Sequence, residues 1–132
     1  MSNYKAVPKT FVDYFKSLSL ESHSVMVERQ AGYGPGNIEA LGPYGVFSRL
    51  AEDKCARVGT SLNGEIIDGK AVVAEGWFSP GVRDALIDIA NYAMILISLG
   101  EDQWSDVTRP DSDADRIGLK EAVEKLEYDE LS

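Results

Sequence analysis

The stretch Val82–Gly100, VRDALIDIANYAMILISLG, limits what this chain can fold into more than any other. Ile89 to Leu99 carries no charge, and neither Gly nor Pro interrupts the run before Gly100. The pattern predicts a helix, and a helix apolar nearly all round is a buried one. Asp84, Asp88 and Asn91 nevertheless recur at i, i+4 and i+7, which stacks them along one stripe. Carboxylates are rarely buried without a partner, because losing their hydration is costly. That stripe has to meet a cation, a basic side chain, polar backbone or water. The uncharged run is too short to span a bilayer, so no membrane is expected.

The rest of the chain reads as helices packed on this one. Phe11, Val12, Tyr14, Phe15 and Leu18 recur at helical spacing behind Thr10, and residues 20–30 continue the helix with a kink or start a short one behind Ser19 or Ser22. Ala31–Gly45 holds Gly at 32, 34, 36, 42 and 45 and Pro at 35 and 43, a density that predicts a long, shaped loop. Val46–Leu62 predicts a second strong helix with Phe47, Ala51, Cys55, Val58 and Leu62 facing inward. Asn63-Gly64 and Asp68-Gly69 bracket a short extended excursion at 65–75. Ser79 and Pro80 suit the N-cap and first position of the central helix. Residues 101–115 read as polar and irregular, and 116–128 as a short amphipathic pattern. The expected architecture is a single all-α domain over 1–132, an antiparallel bundle around a buried helix at about 81–100. A loose arm at about 1–8 and an acidic polar segment at about 101–132 flank it. Helices this apolar bury more surface as a homodimer or higher homo-oligomer.

Charge narrows the function. Thirteen Lys and Arg face 22 Asp and Glu, a net charge of −9, so a surface for duplex nucleic acid is not expected. The lone Cys55 rules out an intrachain disulfide, and a single histidine makes a triad or zinc site improbable. No secretory pattern opens the chain, which predicts a cytoplasmic protein.

Two polar sets stand out. Asp84 has a structural reading, since acids suit a helix N-terminus. Asp88 and Asn91 lie too far into the helix for that. Oxygen ligands on neighbouring turns suit Mg²⁺, with Mn²⁺ as the alternative. The ladder Arg49, Asp53, Arg57 reads either as a surface ion-pair row or as a pocket wall, with Asp53 near the metal and an arginine on a phosphate. GYGPGN (32–37) lacks the Gly-Lys-Ser/Thr ending of a phosphate loop, although Tyr33 could stack on a base.

GYGPGNI (32–38), RLAEDKCAR (49–57) and DALIDIANYAMI (84–95) together resemble a phage-encoded family, nucleotide-modification-associated domain 1. That family's D-K-x-x-R and D-x-x-N-Y patterns stand here as Asp53-Lys54-x-x-Arg57 and Asp88-x-x-Asn91-Tyr92. Its K-x-x-D-Y-G loop is altered, with Arg29 for the lysine and Gly32 for the aspartate before Tyr33. More distantly, the last helix is similar to that of MazG-like all-α nucleoside-triphosphate pyrophosphohydrolases. There Mg²⁺ sits between two acidic helices, which implies Glu52, Asp53, Asp84 and Asp88 as metal ligands, with Asp53 and Asp88 catalytic. Asn91 stands where those enzymes carry Asp, and Glu52-x-x-Cys55 has lost its second carboxylate. Arg29, Tyr33, Asn37, Arg49, Lys54, Arg57, Asn91 and Tyr92 are the implied ligand-binding set. The resemblance implies a phage nucleotide-binding protein of nucleotide metabolism or DNA modification, acting as a Mg²⁺-dependent pyrophosphohydrolase in the host cytosol. The alternatives are a non-catalytic binder that sequesters a nucleotide or nucleotide-derived signal, and a helical adaptor that contacts a host protein.

Overall fold

The computed structural model describes residues 3–131. Met1, Ser2 and Ser132, parts of the expected arm and tail, lie outside them. The chain is all-α apart from one small hairpin. Its elements are α1 (Lys9–Tyr33), α2 (Gly36–Ser48), a π-helical segment (Arg49–Lys54), α3 (Cys55–Leu62), β1 (Glu65–Ile67), β2 (Lys70–Val72), α4 (Pro80–Gly100), α5 (Trp104–Thr108), a 3₁₀ turn (Asp113–Asp115) and α6 (Leu119–Leu131). They divide into two units, residues 33–111 and residues 1–32 with 112–132.

In the unit of residues 33–111, α4 is the hub, packed against α2, the π-helical segment, α3 and α5. It starts as its sequence dictates: Ser79 is the extended N-cap, Pro80 follows, and the Val82 N–H donates to Ser79 Oγ at 3.1 Å. Its inward stripe is Val82, Ala85, Asp88, Asn91 and Ile95. The expectation of a helix buried all round does not hold, because Leu86, Met94 and Ile97 are exposed. α4 turns Asp88 and Asn91 to the core and an apolar stripe outward.

The partner of α4 is one bent helical run from Gly36 to Leu62. The loop expected over Ala31–Gly45 is instead helix with punctuation. Gly34 takes φ +70° just past α1, the left-handed position at which glycine ends helices. Gly42 (φ +66°, ψ 178°) breaks α2 just before Pro43, whose ring the preceding turn cannot accommodate. Gly34 follows the end of α1 and Gly42 with Pro43 breaks α2, and the residues between them stay helical.

The π-helical segment changes which residues face α4. Its i→i+5 winding takes more residues per turn, so a row spaced by four stays on one face. Val46 is fully buried, and Leu50, Lys54 and Val58 are half-buried. Phe47 and Cys55, expected inward at ordinary helical spacing, are exposed. The slip in winding explains the difference.

α3 ends at Asn63, which adopts φ 44°. β1 and β2 form an antiparallel hairpin with Ile66 opposite Ala71, and its turn residues Asp68 and Gly69 take φ 51° and 76°. Two positive φ values are what a two-residue hairpin turn demands. Residues 101–109, expected to be irregular, fold back through α5. The Trp104 indole N–H donates to the Pro35 carbonyl at 3.4 Å, and Arg109 Nη2 pairs with Glu39 Oε1 at 2.6 Å.

In the other unit α1 runs unbroken through Ser19 and Ser22, because serine weakens a helix without ending it. Phe11 and Phe15 stack along it with ring centroids 4.8 Å apart, and both are exposed. α6 contains Leu119, Val123 and Leu126 of the amphipathic pattern expected after Arg116, and Ile117 precedes it. No helix among the described residues is long and apolar enough to cross a membrane.

Candidate functional site

The stripe that had to meet a partner meets a lysine. Lys54 Nζ lies 3.1 Å from Asp88 Oδ2, with the two side chains 17% and 9% exposed. The π winding makes this possible by keeping Lys54 on the row that begins at Val46. Asn91, on the next turn of α4, is 4% exposed. No buried side-chain N or O among the described residues lacks a hydrogen-bond partner. This polar cluster is therefore satisfied from within the protein.

Next to it the helices part. A groove of about 540 Å³ is lined by Glu52, Asp53, Ala56, Arg57, Thr60 and Ser61 from the bent run and by Ser79, Gly81 and Val82 from the start of α4. The two helices are antiparallel: the end of α3 faces the start of α4, Lys54 meets Asp88 midway, and Glu39 meets Arg109 beyond its end. Asp53 Oδ1 holds Arg57 Nε at 3.2 Å, and Ser48 Oγ donates to Glu52 Oε2 at 2.7 Å. Two carboxylates, one guanidinium and three hydroxyls thus share one groove with the small apolar faces of Ala56 and Val82.

Of the residues singled out in the sequence, the groove brings together Glu52, Asp53 and Arg57. Lys54 and Asp88 form the ion pair beside it, and Asn91 is buried on the next turn of α4. Asp84 is exposed and does not share the burial of the other two stripe members. Tyr33, Asn37 and Arg49 are exposed and Tyr92 is half-buried, and none of the four lines the groove. Arg29, on α1, belongs to the other unit. Sequence alone does not single out Thr60 or Ser61 and shows Ser79 only as a cap. One signal was available, since Asp53, Arg57 and Ser61 continue the i, i+4, i+8 ladder.

Among the described residues, no group of three or more His, Cys, Asp or Glu is placed to hold a metal ion. Glu52 and Asp53 are two adjacent oxygen donors in the groove. Mg²⁺ is commonly bound by one or two carboxylates together with substrate phosphates, and these are the two carboxylates that line the groove.

The chain is an all-α protein with a polar groove beside a buried ion pair. No protein-family model, curated protein or solved structure matches it.

Proposed function

We propose that this chain binds a nucleotide as its Mg²⁺ complex in the groove between α3 and the start of α4. The observation that carries the reading is the lining. Its volume falls within the range of small-molecule sites, roughly 300–1,000 Å³. Glu52 and Asp53 outnumber Arg57, and the whole chain is at −9, so a bare polyphosphate is repelled. An anion that brings its own divalent cation is not. Glu52 and Asp53 would hold the ion, Arg57 a phosphate oxygen, and Thr60, Ser61 and Ser79 would donate hydrogen bonds to the remaining oxygens. The π-helical segment supports the reading, because π turns within helices often accompany functional sites. Lys54 and Asp88 act here as a brace that fixes the groove wall and do not touch the ligand.

Calorimetry tests this with Mg²⁺ alone, with deoxynucleoside triphosphates in EDTA, and with both together. Mg²⁺ and nucleotide should bind together, each raising the other's affinity by the same factor. Equal binding in EDTA, or no binding in any arm, would sink the proposal. Pyrophosphate release in the same mixture separates a hydrolase from a binder.

A further inference from the structure

The connector between the hairpin and α4 ends in two adjacent aromatic residues, Trp77 and Phe78, which stand just outside the groove's lining. Trp77 is half-buried, and Phe78 is 54% exposed. The two rings meet edge to face, with centroids 5.2 Å apart, an arrangement favoured between aromatic side chains. The backbone that carries them is tied down. The Trp77 N–H donates to the Ala74 carbonyl at 3.3 Å, and the Ser79 N–H donates to the Trp77 carbonyl at 3.1 Å. An open ring held this way loses little freedom when something flat stacks on it.

Two anchors fix where the pair stands relative to the groove. At one, the Ala74 N–H donates at 2.8 Å to the carbonyl of Leu62, the last residue of α3. The other is Ser79, which lines the groove. Trp77 and Phe78 lie between these anchors, at the end of the groove that Ser61 and Ser79 mark. The carboxylates lie toward the opposite end. Asp53 precedes Ser61 by two turns of the run, roughly 12 Å at ~1.5 Å per residue. An extended triphosphate and its sugar span about that distance, which carries the base of a nucleotide to the aromatic end. We propose that Phe78, braced by Trp77, stacks on the base, with the triphosphate pointing toward Glu52 and Asp53. This rests on the groove reading above and adds what separates a nucleotide from a bare polyphosphate. The groove's carboxylates, guanidinium and hydroxyls answer to metal, phosphate and sugar, and none of them offers a π face. Tyr33, the aromatic expected in this role, precedes the opposite end of the bent run, which starts at Gly36.

Calorimetry on the full chain in excess Mg²⁺ tests this with two probes, dATP and inorganic tripolyphosphate. The wild type should bind dATP about tenfold more tightly, a factor within what stacking a base on an aromatic ring supplies. Phe78→Ala should lose most of this preference. Phe78→Tyr should keep it, because the tyrosine ring offers the same π face. Phe78 is exposed, so both variants should unfold as cooperatively as the wild type. A wild type that binds the two probes equally overturns the inference and leaves the groove reading standing. So does a Phe78→Ala variant that keeps the preference, or a Phe78→Tyr variant that loses it. Binding of neither probe overturns both.

Discussion

Asp53 and Lys54 are neighbours in the chain, and each forms an ion pair with a very different setting. Lys54 reaches across to Asp88 on another helix, and both side chains are largely out of water. Asp53 reaches along its own helix to Arg57, where the side chains stay 39% and 65% exposed. The chemistry is the same, and burial alone separates the consequences. A buried pair is costly to form and much costlier to break, because removing one partner strands the other charge. An exposed i,i+4 pair is worth a few tenths of a kcal/mol and leaves its groups free to meet a ligand. Under the proposed function, the first pair holds the groove's wall and the second faces what enters it.

The largest expected effect comes from breaking the buried pair. Asp88→Ala should cost about 3–5 kcal/mol in urea denaturation, since the Lys54 ammonium loses its countercharge. Replacing both partners, with Lys54→Met and Asp88→Leu together, should recover most of that loss, because apolar residues of similar volume desolvate nothing. A loss below about 1 kcal/mol for Asp88→Ala would place the pair in the same energetic class as Asp53–Arg57 and erase the contrast.

An intermediate effect is expected at the bend that precedes both pairs. Gly42 sits at φ +66° and ψ 178°, a region essentially closed to other residues. Gly42→Ala should therefore cost about 1–3 kcal/mol. A Cβ there meets nothing within 4 Å, so the loss is backbone strain and not crowding. Gly32→Ala is the control: it lies in α1 with equally open space, and it should be neutral or stabilise by up to about 1 kcal/mol. Thermal unfolding that ranks the two equally would mean that Gly42 does not hold the bend.

The smallest stability effect belongs to the exposed pair. Asp53→Ala and Arg57→Ala should each change stability by less than about 0.5 kcal/mol. Each should weaken binding of the Mg²⁺–nucleotide complex about tenfold, equivalent to ~1.4 kcal/mol. Stability and affinity move independently at these two positions if the groove is the site. Variants that bind like wild type would return the pair to plain surface electrostatics.

Part of this arrangement was legible in the residues. The stripe at Asp88 and Asn91 demanded a partner on cost alone, and a basic side chain was one of the few that could serve. The lysine itself was not identifiable, because at ordinary helical spacing Lys54 does not fall on the row that begins at Val46. Part of one wall of the groove was visible as the ladder through Asp53 and Arg57. Ser79 and Gly81 were not, since they join it only when the start of α4 is laid against the end of α3.

The sequence by itself determined what chemistry between near neighbours determines. Ser79 and Pro80 start α4, Asn63 and Asp68-Gly69 shape the ends of α3 and the hairpin, and the uncharged run from Ile89 makes the class all-α. Each of these rests on a torsion or a hydrogen bond closed within a few residues. Tertiary structure decided which face of α4 is inside, how the run from Gly36 to Leu62 winds and bends, and that Trp104 and Arg109 return to Pro35 and Glu39. A helix with apolar residues on several sides has no preferred inner face until a partner is laid against it. Here the partner brings a lysine, and the cost of leaving Asp88 uncompensated outweighs the benefit of hiding Leu86 and Ile97.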